Sequence, residues 1–339
     1  MGMPEIFINF KAKSSDFIRQ SARGIVCVLI KEITNVGITH CISETEIPDN
    51  ITEDNKSFCK LAFDGNRPVS EVVIVAYSDK TKIPSILETI SFNYCCTNVT
   101  DDTEHIATII KDMRDAKKIK VKAVLYNSES DHEGIINFTD DTKGIDYTSR
   151  IASIIATTPL DKSVTYFVLN DIKIKDIPML SKADMDTRVN NGELFIVNDG
   201  FKCKLSRGVN SLVTTDEDKT EDFKTIKIVD IMDKIDHDIR TTVADNYTGT
   251  GNDYNNKMNL VVAIRQYLED LQGQGIVGEF NVDLDLEAQI KYIKTLGAKT
   301  DEMTESEIKH YNTRKKVFIT INVQLIDAME DFYFSVNLM

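Results

Sequence analysis

The feature that most constrains this chain is a set of short, uninterrupted apolar runs separated by stretches of helical periodicity. Residues 24–30 (GIVCVLI) and 72–77 (VVIVAY) carry no charged side chain. A strand with one wet face alternates apolar and polar residues. A run that is apolar throughout belongs to a sheet covered on both faces. Residues 92–96, 121–126, 135–138 and 165–169 (TYFVL) continue the series as further strands. Between them the spacing predicts helices over 52–63, over 83–90 with Pro84 in the first turn, and over 146–156 with a cap near Asp146. Another runs from a cap at Asp101 or Asp102 to about Ala116, with Ile106, Ile109, Ile110 and Met113 on one face. Strands alternating with helices predict an α/β layer with a largely parallel sheet.

That rhythm breaks at 171–180 and 192–204, where Asn198-Asp199-Gly200 signals a hairpin. An acidic linker, TTDEDKTED at 214–222, precedes a different pattern. Ile228, Ile231, Ile235, Ile239 and Val243 mark a long amphipathic helix, and 247–256 a turn. A second helix over 258–271 turns Leu260, Val261, Ile264, Leu268 and Leu271 inward, and a third over 287–296 stops at Gly297. Two alternating runs follow. Val317, Ile319, Ile321, Val323 and Leu325 share one strand face, and Phe332, Phe334, Val336 and Leu338 share another. At the other end, Ile6, Ile8 and Phe10 alternate with Phe7, Asn9 and Lys11 before a polar stretch carrying Lys11, Lys13, Arg19 and Arg23. A terminal strand either pairs within its own domain or adds to a neighbour's edge. The polar linker favours reaching out.

No constellation reads as an active site. A net charge of −14 argues against nucleic acid or an anionic membrane as the main partner. No apolar run approaches the roughly 20 residues a bilayer needs, and the first residues lack the pattern of a secretion signal. Gly2 invites a lipidation reading, but Phe7 stands where a hydroxyl residue is expected. Six cysteines without C-x-x-C spacing read as reduced core thiols, the adjacent Cys95 and Cys96 included. The five histidines lack metal or catalytic spacing, and the charges of Asp131-His132-Glu133-Gly134 read as solvated in a loop. Counting from Asp216, a calcium loop would need Gly and Glu where Glu221 and Lys227 stand. Asp283, Asp285 and Glu287 alternate as on one strand face, which a solvent face explains equally well, and Gly249-Thr250-Gly251 reads as a turn rather than a phosphate cradle. No catalytic residue, metal ligand or cofactor is therefore expected.

Longer segments carry a resemblance. They are PEIFINFKAKSSDFIRQSARGIVCVLIKE (4–32), DHEGIINFTDD (131–141), NGELFIVNDGFKCKLSRGVNSL (191–212) and DFKTIKIVDIMDKIDHDIRTTVADNYTG (222–249). YNNKMNLVVAIRQYLEDL (254–271) and KVFITINVQLIDAMEDFYFSVNLM (316–339) complete the set. In this order, over essentially the whole chain, they resemble the tail sheath proteins of contractile-tailed phages of Gram-positive bacteria. That type occurs in defective prophages and phage-tail-like bacteriocins.

The resemblance implies an α/β domain (mixed sheet flanked by helices) followed by an α+β C-terminal assembly domain, with extended N- and C-terminal strand arms. Its regions would be 1–23 (arm and linker), 24–170 (α/β), 171–225 (hairpin insertion and acidic linker) and 226–339 (sheath domain). It implies a subunit without cofactor that stacks with copies of itself as hexameric rings around a tail tube and contracts. Tail tube, baseplate and tail terminator proteins would be its partners, with no nucleic acid and no membrane insertion. It would be made in the host cytoplasm and end in the tail of a released particle. Arms 4–13 and 331–339 would donate strands through Ile6, Phe7, Ile8, Phe10, Phe332, Phe334, Val336 and Leu338. The receiving strand would carry Val317, Ile319, Ile321, Val323 and Leu325, and Lys11, Lys13, Arg19 and Arg23 would face an acidic neighbour surface. Two other classes stay open: a monomeric α/β binding or adaptor module, and a nucleotide-handling enzyme. The first predicts that losing a chain end costs folding but no polymerisation. The second predicts a pocket of convergent polar groups.

Overall fold

A computed structural model describes residues 18–337 with the exception of 34 and 141. These form two compact units, one of residues 21–237 with 325–337 and one of 18–20 with 238–324.

In the larger unit, seven strands form one mixed sheet: β1 (Ile25–Lys31), β2 (Gly37–Cys41), β3 (Glu71–Tyr77), β4 (Tyr94–Thr97), β5 (Lys122–Tyr126), β6 (Ile135–Phe138) and β7 (Glu193–Leu194). Their order is β2-β3-β1-β4-β5-β6-β7, parallel throughout except for β2, which runs antiparallel on β3 at the edge. Residue parity explains why the strands are apolar throughout. Val26, Val28, Ile30, Val72 and Ile74 pack toward α1 (Glu53–Leu61) and α4 (Thr148–Thr157) through Phe58, Cys59, Ile151 and Ile155. Their neighbours Cys27, Leu29, Val73 and Val75 face α2 (Ile83–Leu87) and α3 (Thr103–Asp115), against Ile83, Leu87, Ile106, Ile110 and Met113. All six cysteines are buried and reduced.

The chain then adds α5 (Lys182–Asn190), the hairpin β8 (Ile196–Asn198) and β9 (Cys203–Leu205), and α6 (Ile226–Thr242). The hairpin turns at Gly200, with φ +87°. Residues 165–169, expected as a strand, are irregular. Tyr166 has φ +56°, which no strand accommodates, and Val168 makes a single bridge to Lys204. Backbone bonds still tie the segment to the hairpin, Leu169 N–H donating to Cys203 O at 2.9 Å and Leu205 N–H to Phe167 O at 2.9 Å. Two expected caps also differ. Asp102 precedes α3 but caps nothing, because its carboxylate accepts the Tyr77 hydroxyl at 2.8 Å and pairs with Lys80 at 3.1 Å. Helix α4 starts at Thr148, after a short turn led by Gly144 at φ +61°.

The smaller unit contains α7 (Tyr254–Gly273), β10 (Val277–Leu284), α8 (Leu286–Thr295), α9 (Glu305–His310) and β11 (Ile319–Leu325). Helix α7 buries the expected Leu260, Val261, Ile264, Leu268 and Leu271. Asp285, expected on a strand face, is the N-cap of α8 and accepts the Ala288 N–H at 2.9 Å. Gly297 ends that helix region at φ +85°. Among the described residues no helix is long and apolar enough to cross a membrane.

Because both faces of β1 are dry, Val28→Ala and Leu29→Ala should each destabilise the chain by about 1–4 kcal/mol. Urea unfolding of dilute protein reads both losses, whereas a one-faced strand would show only one of them.

Candidate assembly interface

Strands β10 and β11 form a separate two-stranded sheet. Gly278 lies against the Gln324 side chain at one end, and the Asp285 N–H donates to Phe318 O at 3.1 Å at the other, so the strands are antiparallel. Helix α7 packs on β10. On β11, Ile319, Ile321, Val323 and Leu325 share one face as expected, and none is fully buried, while Asn322 and Gln324 are exposed. Val317 precedes the strand and is 45% exposed, so the expected row begins at Ile319. No third strand joins this pair among the described residues. Two strands alone are marginal in water, and an edge strand presents unpaired N–H and C=O groups.

Residues 332–337, expected as a strand, form no ladder with any described strand. Phe332 and Phe334 stack with ring centroids 6.2 Å apart, which places them on one side of an extended segment. They are 61% and 84% exposed, Val336 is 80% and Tyr333 94%. Leu338 lies outside the described residues, as do Ile6, Phe7, Ile8, Phe10, Lys11 and Lys13. Arg19 is exposed. Arg23, expected to face a neighbour, is committed internally: its Nη2 donates to Asp230 Oδ2 at 2.5 Å.

That pair opens a buried charge network along α6. Tyr94 donates its hydroxyl to Asp230 Oδ1 at 2.7 Å, and Lys122 Nζ sits 3.1 Å from the same oxygen and 2.5 Å from Asp233 Oδ2. Arg114 holds Asp233 with both arms, at 2.8 and 3.0 Å, and donates to Val121 O at 3.1 Å. It continues to Glu133 at 3.5 Å, which Lys219 reaches at 2.9 Å. Burial pushes the Asp233 carboxyl up, but Lys122 and Arg114 outweigh it and hold the group below its ordinary range. The loop residues His132 and Glu133, expected to be solvated, are therefore buried. Arg114 also leaves no room for an alanine at Gly134, whose Cβ would overlap its side chain. Helical spacing held the missed signal: Lys227, Asp230, Asp233 and Lys234 fall on one stripe of α6, all buried.

Asp115, His132 and Glu133 bring three ligand-type atoms within 4.8 Å of one another. Two observations oppose a metal there. His132 Nδ1 accepts the Gly134 N–H at 2.9 Å, so the neutral ring carries its proton on Nε2, facing Asp115 at 3.2 Å. Glu133 is already neutralised by Lys219 and Arg114.

Strand order reverses between β1 and β4, and the carboxyl ends there form the mouth in which doubly wound sheets take ligands. Here the chain's own side chains occupy it. Glu32 accepts from Thr52 N–H at 2.9 Å and Asn55 Nδ2 at 2.8 Å, and Asn98 Nδ2 donates to Asn55 Oδ1 at 2.7 Å. The Asn55 and Thr52 hydrogen bonds hold Glu32 below the usual carboxylate range, which keeps an anion where a phosphate would sit.

Residues 218–339, from the acidic linker through β11 and the exposed tip, match the phage tail sheath C-terminal domain. The whole chain is 36% identical to the tail sheath protein of Clostridium phage phiCD119, over an alignment spanning 99% of each. This chain belongs to the tail sheath protein family. Its fold also matches solved structures at identities too low to carry more than the fold. The sheath tail protein of Desulfitobacterium hafniense matches at 13% identity and TM-score 0.66, over 84% of this chain and 94% of that one. The sheath of an extracellular contractile injection system in its contracted state matches at 12% and 0.69, over 99% and 98%. In this sheath protein the β11 edge, unpaired among the described residues, and the exposed tip both fall inside the matched C-terminal region.

Asp233→Asn leaves Arg114 and Lys122 buried with half their compensation and should cost the subunit about 3–5 kcal/mol in urea unfolding. pH dependence separates a second part of the network. Burial holds His132 below its ordinary 6.5 despite Glu133 and Asp115, so the unfolded chain binds the proton more tightly than the folded one. Stability should fall as pH drops through 6.5 toward the depressed folded value. His132→Asn should remove that slope and keep the one below about pH 4.5, which comes from the lowered Glu133 and Asp233.

Proposed function

We propose that the chain is the non-catalytic subunit of a contractile sheath, polymerising with copies of itself as stacked hexameric rings around a tail tube. The observation that carries this reading is the coexistence, among the described residues, of a two-stranded sheet that no third strand joins and an exposed apolar tip that joins no sheet. Each supplies what the other lacks. A tip from one copy adds to the β10–β11 sheet of the next, main-chain hydrogen bonds supply affinity, and Phe332, Phe334 and Val336 occupy alternate positions. Each ladder bond contributes about 0.5–1.5 kcal/mol and each buried large side chain roughly 1.5–3 kcal/mol. Ordering the tip offsets part of that gain.

The N-terminal arm with Ile6, Phe7, Ile8 and Phe10 is proposed to donate a strand in the same manner, and Leu338 to extend the C-terminal row. Arg19, Lys11 and Lys13 remain for an acidic neighbour surface. In functional terms 1–23 is the arm and linker, 24–170 the α/β body, 171–225 the hairpin insertion with its acidic linker, and 226–339 the assembly domain. Strand pairing tolerates rigid-body rotation as long as linkers flex, so copies stay connected while lateral contacts exchange. Contraction then draws on a difference in interface free energy between two states and drives the tube through a bacterial envelope. Filling of the sheet's ligand mouth by Glu32, Thr52 and Asn55 favours this account over a nucleotide-handling enzyme. Baseplate, tube and tail terminator proteins are the proposed partners, in the host cytoplasm during assembly and in the released particle afterwards.

Negative-stain electron microscopy of the full chain at high concentration should show rings or tubes. Deleting 332–339 should leave the thermal melt unchanged and abolish them. Tubes from the truncated chain would refute strand donation by the tip, and a truncation that fails to fold would favour a monomeric adaptor.

A further inference from the structure

The exposed tip starts abruptly. Directly before it lies an acidic stretch, Asp327-Ala328-Met329-Glu330-Asp331, which docks on the larger unit. Arg207 Nε reaches Glu330 Oε2 at 3.0 Å, and its Nη2 lies 2.6 Å from both Asp331 oxygens. Thr165 donates its hydroxyl to the other Glu330 oxygen at 2.6 Å, and the Glu330 side chain is only 16% exposed. Lys227 sits buried in the first turn of α6, and burial holds its ammonium below the usual lysine range, outweighing the charges of Asp327, Asp161 and Glu330. The base is stiff. Ser206 N–H donates to Phe195 O at 2.8 Å, Gly208 N–H to Thr165 Oγ1 at 2.8 Å, and Ile226 N–H to Gly208 O at 3.0 Å. Gly208 is closely packed, since a Cβ there would come within 3.0 Å of Val164 Cγ2.

We propose that Arg207, with Thr165, is a clasp that anchors the root of the C-terminal segment on its own subunit and sets the point from which the tip leaves for a second copy. The inference rests on tip donation as proposed above and names the residues that control it. Arg207 is a positioning residue. Its planar fork engages two successive carboxylates, which a single ammonium could not do with the same geometry. Holding residues 327–331 in place makes their ordering part of subunit folding instead of docking, so the tip meets its partner with a shorter uncontrolled length.

The test uses the full chain and compares Arg207→Ala, the segment variant Glu330→Gln/Asp331→Asn, the charge exchange Arg207→Asp/Asp331→Arg, and the 332–339 deletion. Hydrogen exchange on monomers should show faster exchange of the amides at 328–331 in Arg207→Ala with an unchanged melt. Light scattering should place its critical concentration for polymerisation about tenfold above wild type, with recovery toward wild type in the charge exchange. If Arg207→Ala fails to fold, the segment variant carries the test, because it alters only the docked stretch. Unchanged exchange, or polymerisation at the wild-type concentration or below it, would overturn the clasp. If the deletion polymerises like wild type, tip donation itself fails and the clasp falls with it. If the deletion abolishes assembly while Arg207→Ala does not affect it, only the clasp fails.

Discussion

Two desolvated carboxylates on α6 decide how this subunit holds its shape. Asp230 stands between Arg23, Lys122 and the Tyr94 hydroxyl, and Asp233 between Lys122 and Arg114. Charges taken out of water are costly unless every one is matched. A purely apolar helix face tolerates a slip of one turn, whereas two carboxylates that must each meet their own cations admit one register. The cations come from separate places in the sequence: the segment before β1, the end of α3 and the start of β5. The first three turns of α6 are thus locked to three parts of the α/β unit at once.

The two units use opposite strategies with their strands. Around β1 and β3 every residue is covered, one parity by α1 and α4 and the other by α2 and α3, so the sheet has little left to offer a partner except its edges. In β10–β11 one helix covers one strand and the apolar row of β11 stays half-buried. The strand donation proposed above would complete a sheet left in that state. The tip beyond Asp331 has the complementary deficit, with large apolar side chains at alternate positions and no described strand beside them.

Much of this was legible in the amino-acid order because it follows from local periodicity. Unbroken apolar runs marked β1 and β3, helical stripes marked α3, α6 and α7, and Asn198-Asp199-Gly200 marked the hairpin. Misses occurred where a local pattern was overruled. The TYFVL stretch has strand composition, yet Tyr166 takes a left-handed conformation and the segment lies irregularly along the hairpin. Strand β2, with three of its five residues exposed, and α5, which buries none, lack the stripe that periodicity detects.

The sequence by itself determined the α/β class, the absence of a legible catalytic motif, the family resemblance and the rows of apolar residues near the chain's end. Only the tertiary structure decided where the charges went. It buried His132 and Glu133 in what reads as a solvated loop, paired Arg23 with Asp230, and paired Arg207 with Glu330 and Asp331 more than a hundred positions away. Apolar patterning is local, because a strand or helix turns its side chains by a fixed angle per residue. An ion pair has no period. Its partners are set by the burial that forces them together, and that exists only once the chain has folded.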